Sequence, residues 1–255
     1  MTPKFDVALA LRRIVAGFWQ DFAPIVLAGF IMVTLPSVAL TLAGRNNGAT
    51  VIATFGGLLR VLYVVIVVHG SLARIVGQPL TARAFVSSGL AASPRALNTA
   101  MLIGIGIVLC LVALLLAALA GPAALLLRCM IVAAAAAAAI ILAAAVPLAL
   151  QTRLSPWQTF ACAAAMTRTA RGSVAVVLAI AALALAPMRL MLADTVYGLG
   201  ASTARIAMID AAMTFTNPGL WLLALFDLMA WGVCAVIPAA IYAGLQEPRA
   251  PYDGR

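Results

Sequence analysis

VVHGSLARIVGQP, residues 67 to 79, carries an apolar run through small residues into a polar tail closed by a proline, and the chain repeats this at VPLALQTRLSP (146 to 156) and IPAAIYAGLQEP (237 to 248). Each tail ends a stretch of bilayer length. The fold class this predicts is all-α integral membrane, with six transmembrane helices arranged as three parallel-oriented repeats of about 4 to 79, 80 to 156 and 157 to 248 within a single transmembrane domain, 1 to 255. Each repeat is an interfacial helix followed by a two-span hairpin. An even number of spans per copy points all three the same way, unlike inverted transporter repeats.

Composition agrees on the solvent. The chain is 65% hydrophobic and 9% charged, with a mean hydropathy of +1.15, whereas soluble domains carry roughly a quarter charged residues. Crossing about 30 Å of hydrocarbon takes roughly 20 apolar residues. Runs at about 22 to 43, 51 to 73, 97 to 120, 125 to 150, 172 to 192 and 220 to 244 meet that length. Arginines concentrate before span 1, between spans 2 and 3, between spans 4 and 5 and after span 6. The positive-inside rule therefore places both termini in the cytoplasm. The formal net charge of +9 is spread along membrane borders without interleaved aromatics, so nucleic acid is not an expected partner. Membrane lipids and other membrane proteins are. Arg12, Arg13, Arg74, Arg168 and Arg171 are expected to contact anionic headgroups.

A basic N-terminus running into so long an apolar segment does not read as a cleaved signal peptide. Residues 5 to 20 instead predict an amphipathic helix, with Val7, Leu11, Ile14, Val15 and Phe18 on one side and Asp6, Arg12, Arg13 and Gln20 on the other. It should lie in the interface with Trp19 near headgroup level. Thr81 to Asn98 and Pro156 to Arg171 are comparable lead-ins to spans 3 and 5. A further interfacial helix is expected over Ser202 to Phe215, followed by Asn217 and Pro218 as N-cap and first-turn proline of span 6.

Charges inside spans are the leads to anything specific, because an ionisable group in hydrocarbon must pair or snorkel. Arg60 lies 19 residues before Pro79 and Asp227 lies 21 before Pro248, so aligned repeats bring them to one depth as an ion-pair candidate. His69, the single histidine, is a candidate proton or polar site in span 2, though a packed helix residue is the commoner use. Cys110, Cys129, Cys162 and Cys234 have no CxxC and no histidine at ligand spacing; they read as buried apolar residues, with no metal expected. Pro36, Pro147, Pro187 and Pro238 are expected to kink spans. Without a G-x-S-x-G or Walker motif, no catalytic residue and no cofactor is expected.

The N-terminal FDVALALRRIVAGFWQDFAPIVLAGFIMVTLP (5 to 36) and the later AAIYAGL (239 to 245) resemble the membrane domain associated with bacterial glycerophosphodiester phosphodiesterases and related stand-alone six-span proteins. In the fused enzymes catalysis belongs to a separate soluble barrel that this chain does not match, so the resemblance implies a membrane module without that activity. The mitochondrial carriers also have three two-span repeats, but their P-x-[DE]-x-x-[KR] signature is absent. The expected function is a non-enzymatic scaffold or accessory subunit of a membrane assembly, one that interacts with lipids. The alternative is a transporter or channel for a small solute or lipid, with a path near Arg60, His69 and Asp227.

Overall fold

The computed structural model describes residues 5–43, 48–117, 123–197 and 217–246, which are helical with short connectors and contain no strand. The chain begins with α1 (Val7–Gln20). Span 1 is α2 (Phe22–Gly29), a π turn (Phe30–Thr34) and α3 (Leu35–Ala43). There follow α4 (Gly48–Ile75), α5 (Ala82–Ala117), α6 (Ala124–Leu142), α7 (Ala145–Gln151), α8 (Pro156–Thr167), α9 (Arg171–Tyr197) and α10 (Pro218–Gln246). Six stretches are long and apolar enough to cross a bilayer: Phe22–Ala43, Val51–Ile75, Ala82–Ala117, Ala124–Gln151, Arg171–Leu192 and Pro218–Gln246. This is a polytopic membrane protein. The expected helix over Ser202 to Phe215 and the third closing proline, Pro248, lie outside the described residues.

Local chemistry accounts for the boundaries. Asp6 caps α1 by accepting the Leu9 N–H at 3.0 Å,. Helix α4 stops in a Schellman turn, where Gly77 takes φ +84° and the N–H groups of Gly77 and Gln78 close on Arg74 O and Ala73 O at 2.9 Å,; Pro79 prevents further helix. Ser155 and Gln158 form a reciprocal capping box with Pro156 in the first turn of α8,. Asn217 Oδ1 accepts from Gly219 N at 2.9 Å ahead of α10.

The three segments expected to repeat are not built alike. Helices α1 and α8 are discrete lead-ins, but the one expected before span 3 is continuous with it, making α5 36 residues long. At 1.5 Å per residue that is about 54 Å, well beyond the hydrocarbon. Pro94 should have broken it by leaving the Leu90 carbonyl without a backbone donor. The Ser93 hydroxyl donates to that carbonyl instead, at 2.8 Å. Helices α9 and α10 also run through their prolines, Pro187 and Pro238. Near Pro147 the helix does break, between α6 and α7.

Packing is equally uneven. Helix α10 sits at the centre, against α1, span 1, α4, α7 and α9, while α4 and α5 form the most extensive single pair. Of the apolar windows, 44% of α10 is buried, against 33% for span 1 and α4, 17% for α6–α7 and 11% for α5 and α9. Helix α1 turns Ala10, Ile14 and Phe18 into the bundle against α9 and α10. Val15, expected on that face, is left uncovered with Trp19. The ends of α4, α7 and α10 share a side with α1, termed below the α1 face; the opposite side is the far face.

Candidate functional site

In the half of the bundle toward the far face, Pro36 sets the geometry. Its ring crowds the carbonyl of Met32 and it offers no N–H, and the helix just before it widens to the π turn, in which Leu35 N–H reaches Phe30 O,. The Ser37 hydroxyl donates to Val33 O at 2.6 Å and accepts from Arg60 Nη2 at 2.9 Å. Counting 1.5 Å per residue from Ala43 back to Ser37, this contact lies about 9 Å below the far end of α3.

Asp227 belongs to the same region but is bound elsewhere. Arg189 Nε donates to its Oδ1 at 2.8 Å and Nη2 to Oδ2 at 3.4 Å. The expected Arg60–Asp227 ion pair is thus corrected to Arg189–Asp227. Arg189, near the end of its span, takes both carboxylate oxygens, and Arg60 is turned toward α3. Asp227 and Arg189 are the charges acting electrostatically on Arg60. Arg189 stands at a span border, where the sequence alone marks an arginine as topological.

A second polar centre lies on the α1 face. Asp21, the residue between α1 and α2, is only 1% exposed and binds Arg74 near the end of α4. Arg74 Nε donates to Asp21 Oδ1 at 2.7 Å, Nη2 donates to the same oxygen and also reaches Gln20 O at 3.4 Å. Arg74 was expected at lipid headgroups. Its guanidinium is instead committed to a carboxylate 53 positions away. Nearby in the bundle, Gln246 Nε2 donates to Tyr242 Oη at 2.5 Å, which donates to Gln151 Oε1 at 2.7 Å, tying the end of α10 to the end of α7.

Between the two centres the interior is apolar. Ile25, Val33, Tyr63, Ile66, Val67 and Val236 have at most 1% exposure, and Tyr63 makes a long 3.4 Å hydrogen bond to Ile25 O. His69 is half-buried outside both centres, with Arg95 the charge acting on it. Arg12, Arg168 and Arg171 are exposed and Arg13 is half-buried. The cysteines depart from expectation. Cys110 is half-buried, and Cys129, Cys162 and Cys234 are exposed on helix surfaces, a position that costs a small apolar side chain nothing in lipid. Among the described residues no group of three or more His, Cys, Asp or Glu side chains could hold a metal ion.

The far-half cluster therefore offers a guanidinium held by a hydroxyl beside a bound carboxylate, suited to recognising an anion. The α1-face cluster offers a closed ion pair, suited to fixing helices. Searches of protein families, curated proteins and solved structures return no match to the chain.

Proposed function

We propose that this protein is a non-enzymatic scaffold or accessory subunit of a bacterial inner-membrane assembly, with the α1 face in the cytoplasm. The observation that carries the reading is the unequal packing of the spans. Helix α6 has no buried residue, and within its tract of alanines positions 133, 134 and 136 to 139 are uncovered. Small side chains let another helix approach closely, which bulky lipid-facing residues would prevent. A transmembrane helix of a partner protein fits that surface. Exposed Arg12, Arg83, Arg95, Arg153, Arg168 and Arg171 around the α1 face support the orientation and contact with anionic headgroups. The resemblance of the N-terminal pattern to phosphodiesterase-associated membrane domains fits the same role, a membrane module serving a catalytic partner.

A photocrosslinker placed at Ala136→Cys, with the four native cysteines replaced by serine, tests this in native membranes. A discrete protein adduct is expected. Adducts to lipid alone would sink the scaffold reading.

Transport of a small solute or lipid is the second reading, favoured by one specific feature. Among the described residues, buried Asp21 Oδ2, Thr34 Oγ1, Arg60 Nε and Ser71 Oγ have no hydrogen-bond partner; Asp21 stands at the head of span 1, Thr34 lies within it, and Arg60 and Ser71 are on α4. Solute flux into proteoliposomes that disappears with Asp227→Asn would establish it over the first.

A further inference from the structure

Arg60 is a cation in the wrong solvent. Its Cα lies nine residues into the Val51–Ile75 span, about 13 Å from its far end at 1.5 Å per residue. Its guanidinium has five N–H donors. One of them meets Ser37 Oγ, and Nε is buried with no acceptor among the described residues. The carboxylate in range, Asp227, is already held through both oxygens by Arg189. Guanidinium burial without a contacting counterion is costly in a medium that solvates charge poorly.

The surroundings leave room for a counterion. One turn toward the far face, a Cβ built on Gly57 would meet nothing within 4 Å, whereas Gly56 beside it is closed by Pro36 at 2.9 Å. Ala53, a further turn out, is exposed. The flank of α4 above Arg60 is thus small and open.

We propose that Arg60, oriented by Ser37, binds a phosphate-class oxyanion that arrives from the far face along Gly57. The planar guanidinium can present two N–H groups to two oxygens of a phosphate, which a lysine cannot imitate. The oxyanion is either the phosphodiester of a phospholipid headgroup or free phosphate, and this proposal stands independently of the scaffold reading.

Binding of inorganic phosphate and of dihexanoyl phosphatidylglycerol to the delipidated full chain in detergent, each followed by calorimetry and native mass spectrometry, separates the sources. Wild type is expected to bind one of them saturably. Arg60→Gln should weaken it at least tenfold and Arg60→Lys by less. Gly57→Leu, which keeps Arg60 and fills open space, should weaken it similarly at an unchanged unfolding temperature. It thereby keeps the test decisive even where Arg60→Gln does not fold. Binding of phosphate alone identifies a free anion, and binding of the lipid alone identifies a headgroup site. Failure of both probes to bind wild type, or wild-type affinity in both Arg60→Gln and Gly57→Leu, overturns the proposal.

Discussion

Arg74→Ala is expected to destabilise the protein by about 2–3 kcal/mol and to loosen α1 from the bundle. Removing one partner of a buried pair costs about 3–5 kcal/mol because the other charge is left without compensation; the Arg74 side chain is 25% exposed, which lowers the figure. Asp21 has no second route to solvation, being 1% exposed with Oδ2 already without a partner. Once Arg74 is gone, Oδ1 loses both guanidinium donors and the carboxylate must protonate or move to water. Movement would unseat the α1–α2 junction, and with it the packing of Phe18 beside Ile25. Asp21→Asn keeps an acceptor for Arg74 and abolishes the buried charge, so its cost should be smaller, about 1 kcal/mol. Reversible unfolding in mixed micelles measures the stabilities, and hydrogen exchange of the α1 amides reports the loosening. An Arg74→Ala protein within about 0.5 kcal/mol of wild type, with α1 still protected, would mean that the pair contributes no more than a surface ion pair.

The same residues show what was legible in the sequence. Spans could be read because hydrocarbon imposes length and composition on each helix separately, and α1 because its polar and apolar sides alternate at helical period. Partner choice is not a local property. Arg74 ends a span, where an arginine ordinarily meets headgroups, and nothing within a helical turn announces Asp21. A usable signal did exist. The chain has seven acidic residues, so an aspartate at the mouth of an apolar run is rare enough to demand a cation, and Arg74 at the end of α4 supplies it. Arg189 and Asp227 repeat the lesson, since a border arginine can extend down to an intramembrane acid. The continuity of α5 depended on a finer compensation, the Ser93 hydroxyl standing in for the missing Pro94 N–H, which proline-based reading of helix ends does not weigh. By contrast, Ser155-Pro-Trp-Gln158 spells a capping box outright, and it forms.

Gly70→Ala should be among the most damaging single changes, at about 3 kcal/mol or more, though it adds one methyl group. An ideal Cβ on Gly70 falls among the ring atoms of Phe85, and one on Gly89 lies 2.9 Å from Ile66 Cα. Ile66 and Gly70 are four apart on α4, Phe85 and Gly89 four apart on α5, so each helix presents a large side chain beside a glycine on one face. Run antiparallel, each large residue fills the other's gap. Phe85 and Ile66 are both 0% exposed, so neither has space to retreat into. Displacing Phe85 forfeits a good part of the 3–5 kcal/mol typical of Phe→Ala in a core, while separating the backbones at Gly89→Ala is an overpacking cost of about 1–3 kcal/mol. Two comparisons isolate the cause. Gly70→Ala combined with Phe85→Ala should cost less than the two single changes added together, because the small ring site no longer resists the methyl. Gly57→Ala, facing open space on the same helix, should be neutral or slightly stabilising, since alanine favours helix over glycine by about 1 kcal/mol. If Gly70→Ala unfolds at the same denaturant concentration as Gly57→Ala, the α4–α5 interface is pliant and close approach is not what holds it. If the two separate as expected, the described glycines of α4 and α5 divide by contact: Gly70 and Gly89 bring helices together, and Gly57 faces open space.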